Sequence, residues 1–110
     1  MKLPYRKKAY ISEEKLTEYI LSETHTVGKL KAKVFRAAGF DETNVSILKE
    51  SLLAIAYSQE VKGVTTSPYG KKYVIDGKIQ RPNGKVLKVR TIWIIETEQK
   101  FPRFVTTYPV

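Results

Sequence analysis

The sequence predicts an α+β domain in which about three N-terminal helices pack on a four-stranded antiparallel sheet. Two observations carry that prediction. Up to Tyr57 the apolar residues recur at helical spacing; beyond it they fall in segments rich in β-branched and aromatic residues. Helices first and strands after is the arrangement in which helices cover one sheet face and leave the other face, or one edge, open. No repeat, low-complexity run or linker interrupts the chain, and 110 residues can form one core without staples, so residues 1–110 read as a single domain.

Taken in order, Ser12 ahead of Glu13 and Glu14 places a cap and two acids at the positive end of a first helix. Leu16, Tyr19 and Ile20 mark its inner face. Gly28 to Ala38 reads as a second helix, stopped by Gly39. At about 100° per residue, Lys29, Lys33 and Arg36 cluster on one side of it. Leu30, Val34, Ala37 and Ala38 form the other side, and Lys31 falls among them. A third helix begins near Thr43 or Asn44 and carries Val45, Leu48, Leu52, Ile55 and Ala56 at helical spacing. The strands are Val61 to Thr66, Tyr69 to Ile75, Lys85 to Glu96 and Arg103 to Tyr108. Ser67-Pro68, Asp76-Gly77 with Pro82-Asn83-Gly84, and Thr97 to Pro102 separate them as turns, and such short connections favour a meander.

Composition narrows the function classes. No apolar run approaches the roughly 18 residues of a membrane span. The basic opening Met1 to Lys8 lacks the apolar stretch of a signal peptide. Without cysteine there is neither a disulfide framework nor a thiolate metal site. The working place is therefore expected to be cytoplasmic, native or reached by delivery into a target cell. The net charge of +9 is the strongest compositional fact. Residues 1–58 carry 10 basic and 7 acidic side chains and residues 59–110 carry 10 and 4, so the excess is no detachable tail. Such a field favours polyanions, either nucleic acid or an acidic protein partner.

A few residues stand apart from the solvated charge. Lys31, on the apolar stripe, either snorkels out or meets an anion where helix and sheet join. His25, the single histidine, precedes a helix whose N-terminal amides attract anions, and imidazole titrates near neutral pH. Arg90 lies in the longest apolar strand. Alternation puts Val89, Thr91, Trp93 and Ile95 on one face, and Lys88, Arg90, Ile92 and Ile94 on the other. A guanidinium there offers a bidentate phosphate clamp, unless Glu60, Asp76 or Glu96 pairs with it. Thr106 and Tyr108 are candidate hydroxyl donors on the last strand. Tyr69 to Tyr73 interleaves aromatics with lysines, which suits base stacking beside phosphate contacts or an exposed, charge-protected hairpin. So few acids, one histidine and no cysteine argue against a zinc centre or a carboxylate-held magnesium site, and no glycine-rich phosphate loop is present. Neither metal nor cofactor is expected.

The residues also form four ordered motifs: His25 to Phe35, Tyr69 to Tyr73, Arg90 to Trp93, and Pro102 to Pro109. Over nearly its whole length the chain resembles a family of small bacterial and phage-associated domains of unknown function. Its layout is similar to the ribonuclease-toxin class of barnase, EndoU, colicin nucleases and RelE-type toxins. That resemblance implies metal-free RNA cleavage, of tRNA or mRNA, held in check by an acidic immunity or antitoxin protein. The expectation is then an endoribonuclease toxin domain working by 2′-hydroxyl transesterification. His25, Lys31, Arg90, Thr91, Thr106 and Tyr108 would be catalytic, and Lys29, Lys33, Arg36, Lys72, Tyr73 and Trp93 would hold RNA. The rivals are a non-catalytic basic nucleic-acid-binding module and a protein-interaction domain, such as an antitoxin or phage adaptor.

Overall fold

The change of period at Tyr57 is where helices give way to strands. The computed structural model describes residues 1–22, 24 and 29–110. A 3-10 turn at Arg6–Lys8 precedes helix α1, Glu13–Lys15, which runs directly into a π turn, Leu16–Ile20. Helices α2, Lys29–Ala37, and α3, Val45–Ser58, follow. Four strands then form one antiparallel sheet in the order β1 (Gly63–Ser67), β2 (Gly70–Gln80), β3 (Val86–Glu96), β4 (Arg103–Pro109). The α+β architecture is the one the sequence predicts.

Local chemistry accounts for most of the element ends, with some corrections. Ser12 stands at the N-cap of α1 with extended backbone, but its side chain makes no capping bond. The wide π turn, closed by Leu21 N–H to Leu16 O at 2.7 Å, turns Leu16, Ile20 and Leu21 all inward. Gly39, at φ +102°, ends the second helix as expected. Asp76-Gly77 is not a turn. Both residues continue β2, opposite Arg90 and Val89. At Gly77 α3 presses close on the sheet, since a Cβ there would lie 2.7 Å from Ile55. The turn is at Pro82-Asn83-Gly84, the other expected position, and is closed by Arg81 N–H to Lys85 O at 2.6 Å. At the other hairpin, Gly70 has φ +142° and a Cβ would stand 2.3 Å from Ile95 O, so no larger residue fits.

The inner face of the sheet carries Tyr73, Ile75, Ile79, Leu87, Val89, Trp93 and Phe104 against Leu16, Ile20, Phe35, Leu48, Leu52 and Ile55. Two buried threonines close the polar accounts of that face. Thr91 Oγ1 donates to Ile75 O at 2.7 Å and accepts from Trp93 Nε1 at 2.8 Å. Thr107 Oγ1 donates to Arg90 O at 2.8 Å. The stripe of α2 differs from the expected one. Ala32, Phe35 and Ala38 are buried, whereas Val34 and Ala37 face solvent. Phe35 removes more apolar area from water than Val34 could, and it sets the rotation of the helix. Lys31 therefore sits beside the buried stripe rather than in it.

One irregularity positions the site. The β3–β4 register runs Ile94↔Arg103 and Trp93↔Phe104, then jumps to Ile92↔Thr106, so Val105 is an extra residue in β4. Strict alternation would put Thr106 on the same side as the buried Phe104. The bulge reverses the phase, so that Thr106 and Tyr108 share the open face with Ile92 and Arg90 while Thr107 turns to the core.

Candidate functional site

The open face of the sheet is crossed by cations. Lys72, Lys78, Lys88, Arg90 and Arg103 share it, against the carboxylates of Asp76 and Glu96. At its β4 margin, α2 brings Lys31 over the edge strand. Lys31 Nζ donates to Thr106 Oγ1 at 2.7 Å and to Tyr19 Oη at 3.0 Å. The same ammonium lies 5.0 Å from the centre of the Tyr19 ring and 5.7 Å from that of Tyr108. Tyr108 faces Arg90 across the ladder. Lys31, Thr106, Tyr108 and Arg90, distant in sequence, thus form one connected group.

The two cations of this group have different surroundings. Arg90 is held bidentately by Asp76, Nε to Oδ1 at 2.7 Å and an amino nitrogen to Oδ2 at 3.0 Å. Lys62 adds a contact to Asp76 Oδ2 at 3.0 Å. The hydrogen bond from Arg90 is the main reason that the Asp76 carboxyl is pulled down to about 2, and the pairing in turn raises Arg90. Lys31, by contrast, meets hydroxyls and ring faces among the described residues. Its hydrogen bond is the chief cause of a lowered Tyr19 pKa, with Thr106 and the charges of Lys31 and Lys15 adding to it against the effect of burial. An ammonium held by neutral groups at a half-open margin retains its attraction for an anion.

The remaining expected site residues divide plainly. Thr91, Tyr73 and Trp93 belong to the core: Thr91 and Trp93 are fully buried, Tyr73 is 6% exposed, and Trp93 packs edge-on against Phe104. Their strand positions fall on the helix-covered face, so they are corrected from site to core. Arg36 is tied to structure, donating to Leu21 O at 2.9 Å and pairing with Glu42. Lys33 and Lys72 are exposed, Lys72 on the open face. His25 and the side chain of Lys29 lie outside the described residues. Tyr19 is the member that periodicity alone assigns to the core stripe; only its hydroxyl sets it apart from Leu16 and Ile20. Among the described residues no group of three or more His, Cys, Asp or Glu is placed to hold a metal ion, and no helix is long and apolar enough to cross a membrane.

No curated protein matches the chain. Among solved structures, a chain of the contact-dependent growth inhibition toxin–immunity protein complex from Klebsiella pneumoniae 342 shares the fold. The TM-score is 0.72 at 18% identity, over 94% of this chain and 95% of that one. At the sequence level, the model of a domain of unknown function, DUF6883, matches residues 2–110, and the chain belongs to that family.

Proposed function

We propose that this chain is an endoribonuclease toxin domain that cleaves RNA by 2′-hydroxyl transesterification. The observation that carries the reading is the Lys31 ammonium, held between Tyr19 Oη and Thr106 Oγ1 beside Tyr108 and Arg90 on a cationic open face. In this scheme the phosphate sits at Lys31. The ribose 2′-oxygen forms a bond to phosphorus, the bond from phosphorus to the 5′-oxygen breaks, and a 2′,3′-cyclic phosphate remains. The 2′-hydroxyl loses a proton to a base, and the 5′-oxygen gains one as it leaves. His25 is assigned one of these transfers on the sequence argument. Lys31 and Arg90 stabilise the charge that develops on the phosphoryl oxygens, an effect of about 3 kcal/mol for one preorganised donor. Thr106 and Tyr108 fix the position of the ammonium and of the phosphate.

The neighbour from Klebsiella belongs to a toxin–immunity protein complex. With a net charge of +9, this chain suits the RNA-directed member of such a pair, and an acidic immunity or antitoxin protein suits its cationic face. One observation favours a second reading, a nucleic-acid-binding module without cleavage: Asp76 already neutralises Arg90. Purified protein incubated with tRNA and total RNA in EDTA separates them. Fragments ending in 2′,3′-cyclic phosphate are the expected result. Intact RNA that shifts in a salt-dependent gel would sink the nuclease and leave the binder. No RNA affinity, with a tight complex to an acidic protein, would leave an interaction domain.

A further inference from the structure

A groove of 540 Å³ opens on the uncovered sheet face, beyond the Lys31 group toward the β1–β2 hairpin. Its floor is Ile94 and Val105, its walls are Tyr69 and Lys72, and Glu96 and Arg103 close the end. The row Ile94↔Arg103 lies two residues along β3 from the row Ile92↔Thr106, which is about 7 Å. The groove therefore begins within the reach of one nucleotide from Lys31. The β4 bulge makes the two continuous, because Val105, which lines the groove, is followed directly by Thr106, which holds the ammonium.

We propose that this groove is a nucleobase subsite, taking one unpaired base of the strand whose phosphate lies at Lys31; that the strand is RNA rests on the function proposed above. Tyr69 is 78% exposed at the turn, so its ring offers a free stacking surface without leaving any packed position. Ile94 and Val105 give the base an apolar floor. Arg103 donates to Glu96 Oε1 at 2.8 Å, so a donor and an acceptor stand side by side for the edge of the base. Lys72 meets an adjoining phosphate. A paired base keeps its faces inside the duplex, and the groove accordingly selects single-stranded or splayed-out nucleotides. The depression on the helix side of the β4 edge sets Glu14 and Glu18 against Lys15 and Arg103, so its lining carries no net positive charge for this ligand.

Fluorescence anisotropy with labelled single-stranded 2′-O-methyl oligonucleotides, which lack the nucleophile, tests the subsite apart from cleavage. Wild-type protein should bind a base-bearing strand roughly tenfold more tightly than an abasic strand of the same length, as one stacked base contributes. Tyr69→Ala should remove most of that preference and leave abasic binding unchanged, whereas Tyr69→Phe should retain it. Lys31→Ala should weaken both strands alike. Equal affinity for the two strands, or a Tyr69→Ala variant with the preference intact, overturns the subsite. Cleavage of tRNA by the same preparation reads the nuclease independently. Base preference without cleavage keeps the subsite and rejects the nuclease; cleavage without base preference does the reverse.

Discussion

Lys31 and Arg90 stand on either side of Tyr108, and the fold treats their charges in opposite ways. Arg90 has a built-in counterion: Asp76 grips it with both oxygens, and Lys62 holds Asp76 from the other side. Lys31 has only hydroxyls and aromatic faces among the described residues. A cation with its own carboxylate is a positioned structural element, whose charge a substrate must share. A cation held by neutral groups is fixed in place with its charge still available. The comparison teaches that Lys31, unlike the arginine embedded in the sheet, stands at this margin with hydroxyls and ring faces as its partners among the described residues, and the function proposed above rests on that difference.

The largest effect that can break this contrast is at Lys31. Lys31→Ala should lower RNA cleavage by roughly 10²- to 10³-fold, as loss of a preorganised electrostatic donor does, while the denaturation midpoint barely moves. A variant that still cleaves at wild-type rate shows that the ammonium is only a snorkelling surface lysine. The converse is expected at Asp76, where Asp76→Asn should cost about 2 kcal/mol of folding stability in urea titration, because it leaves Arg90 at 31% exposure without its counterion. The same pair predicts a pH dependence. Asp76 titrates at about 2 in the folded chain, below the roughly 3.9 of an unfolded aspartate. A depressed carboxyl contributes stability above its unfolded value. The contribution should therefore be complete above about pH 5 and disappear as pH falls through 4 toward 2. An Asp76→Asn variant should lose that part of the acid slope, and an unchanged slope would place the acid sensitivity elsewhere.

Smaller effects sharpen the contrast along β4. Thr107→Val removes the hydroxyl that caps Arg90 O inside the core and should cost about 1 kcal/mol, with cleavage little changed. Thr106→Val removes the acceptor for Lys31 and should lower cleavage several-fold at nearly unchanged stability. If the two variants behave alike, the bulge does not separate a core residue from a site residue. Lys33→Ala should be the mildest, weakening RNA binding about two- to threefold with a shallower salt dependence, since it removes one solvated charge.

Much of the architecture was legible because it depends on local period and composition. The change at Tyr57, the helix stop at Gly39 and the alternation of β3 are all properties of neighbouring residues. The errors came where a distant residue decided. Asp76-Gly77 carries a turn signature, yet Ile55 of α3 needs the glycine as a flat place on the sheet, and Arg90 needs the aspartate. Val34 looks as suitable as Phe35 for the inner stripe of α2 until the space beneath the helix is known. Of the candidate site, Lys31, Arg90, Thr106 and Tyr108 do come together. Thr91, Tyr73 and Trp93 do not: alternation already sets Thr91 and Trp93 opposite Arg90, and the structure shows that theirs is the face the helices cover.

By itself the sequence determined the α+β order, the cationic character of the domain and the residue types able to meet a phosphate, since these follow from spacing and charge. Only the tertiary structure decided which of them lie together. The reason lies in the period of two along a strand: one extra residue, Val105, reverses every face after it. That single bulge sends Thr106 to Lys31 and Thr107 to the core. The packing of α2 beside the π turn gives Tyr19, an ordinary stripe position by spacing, a lysine from the next helix as its partner.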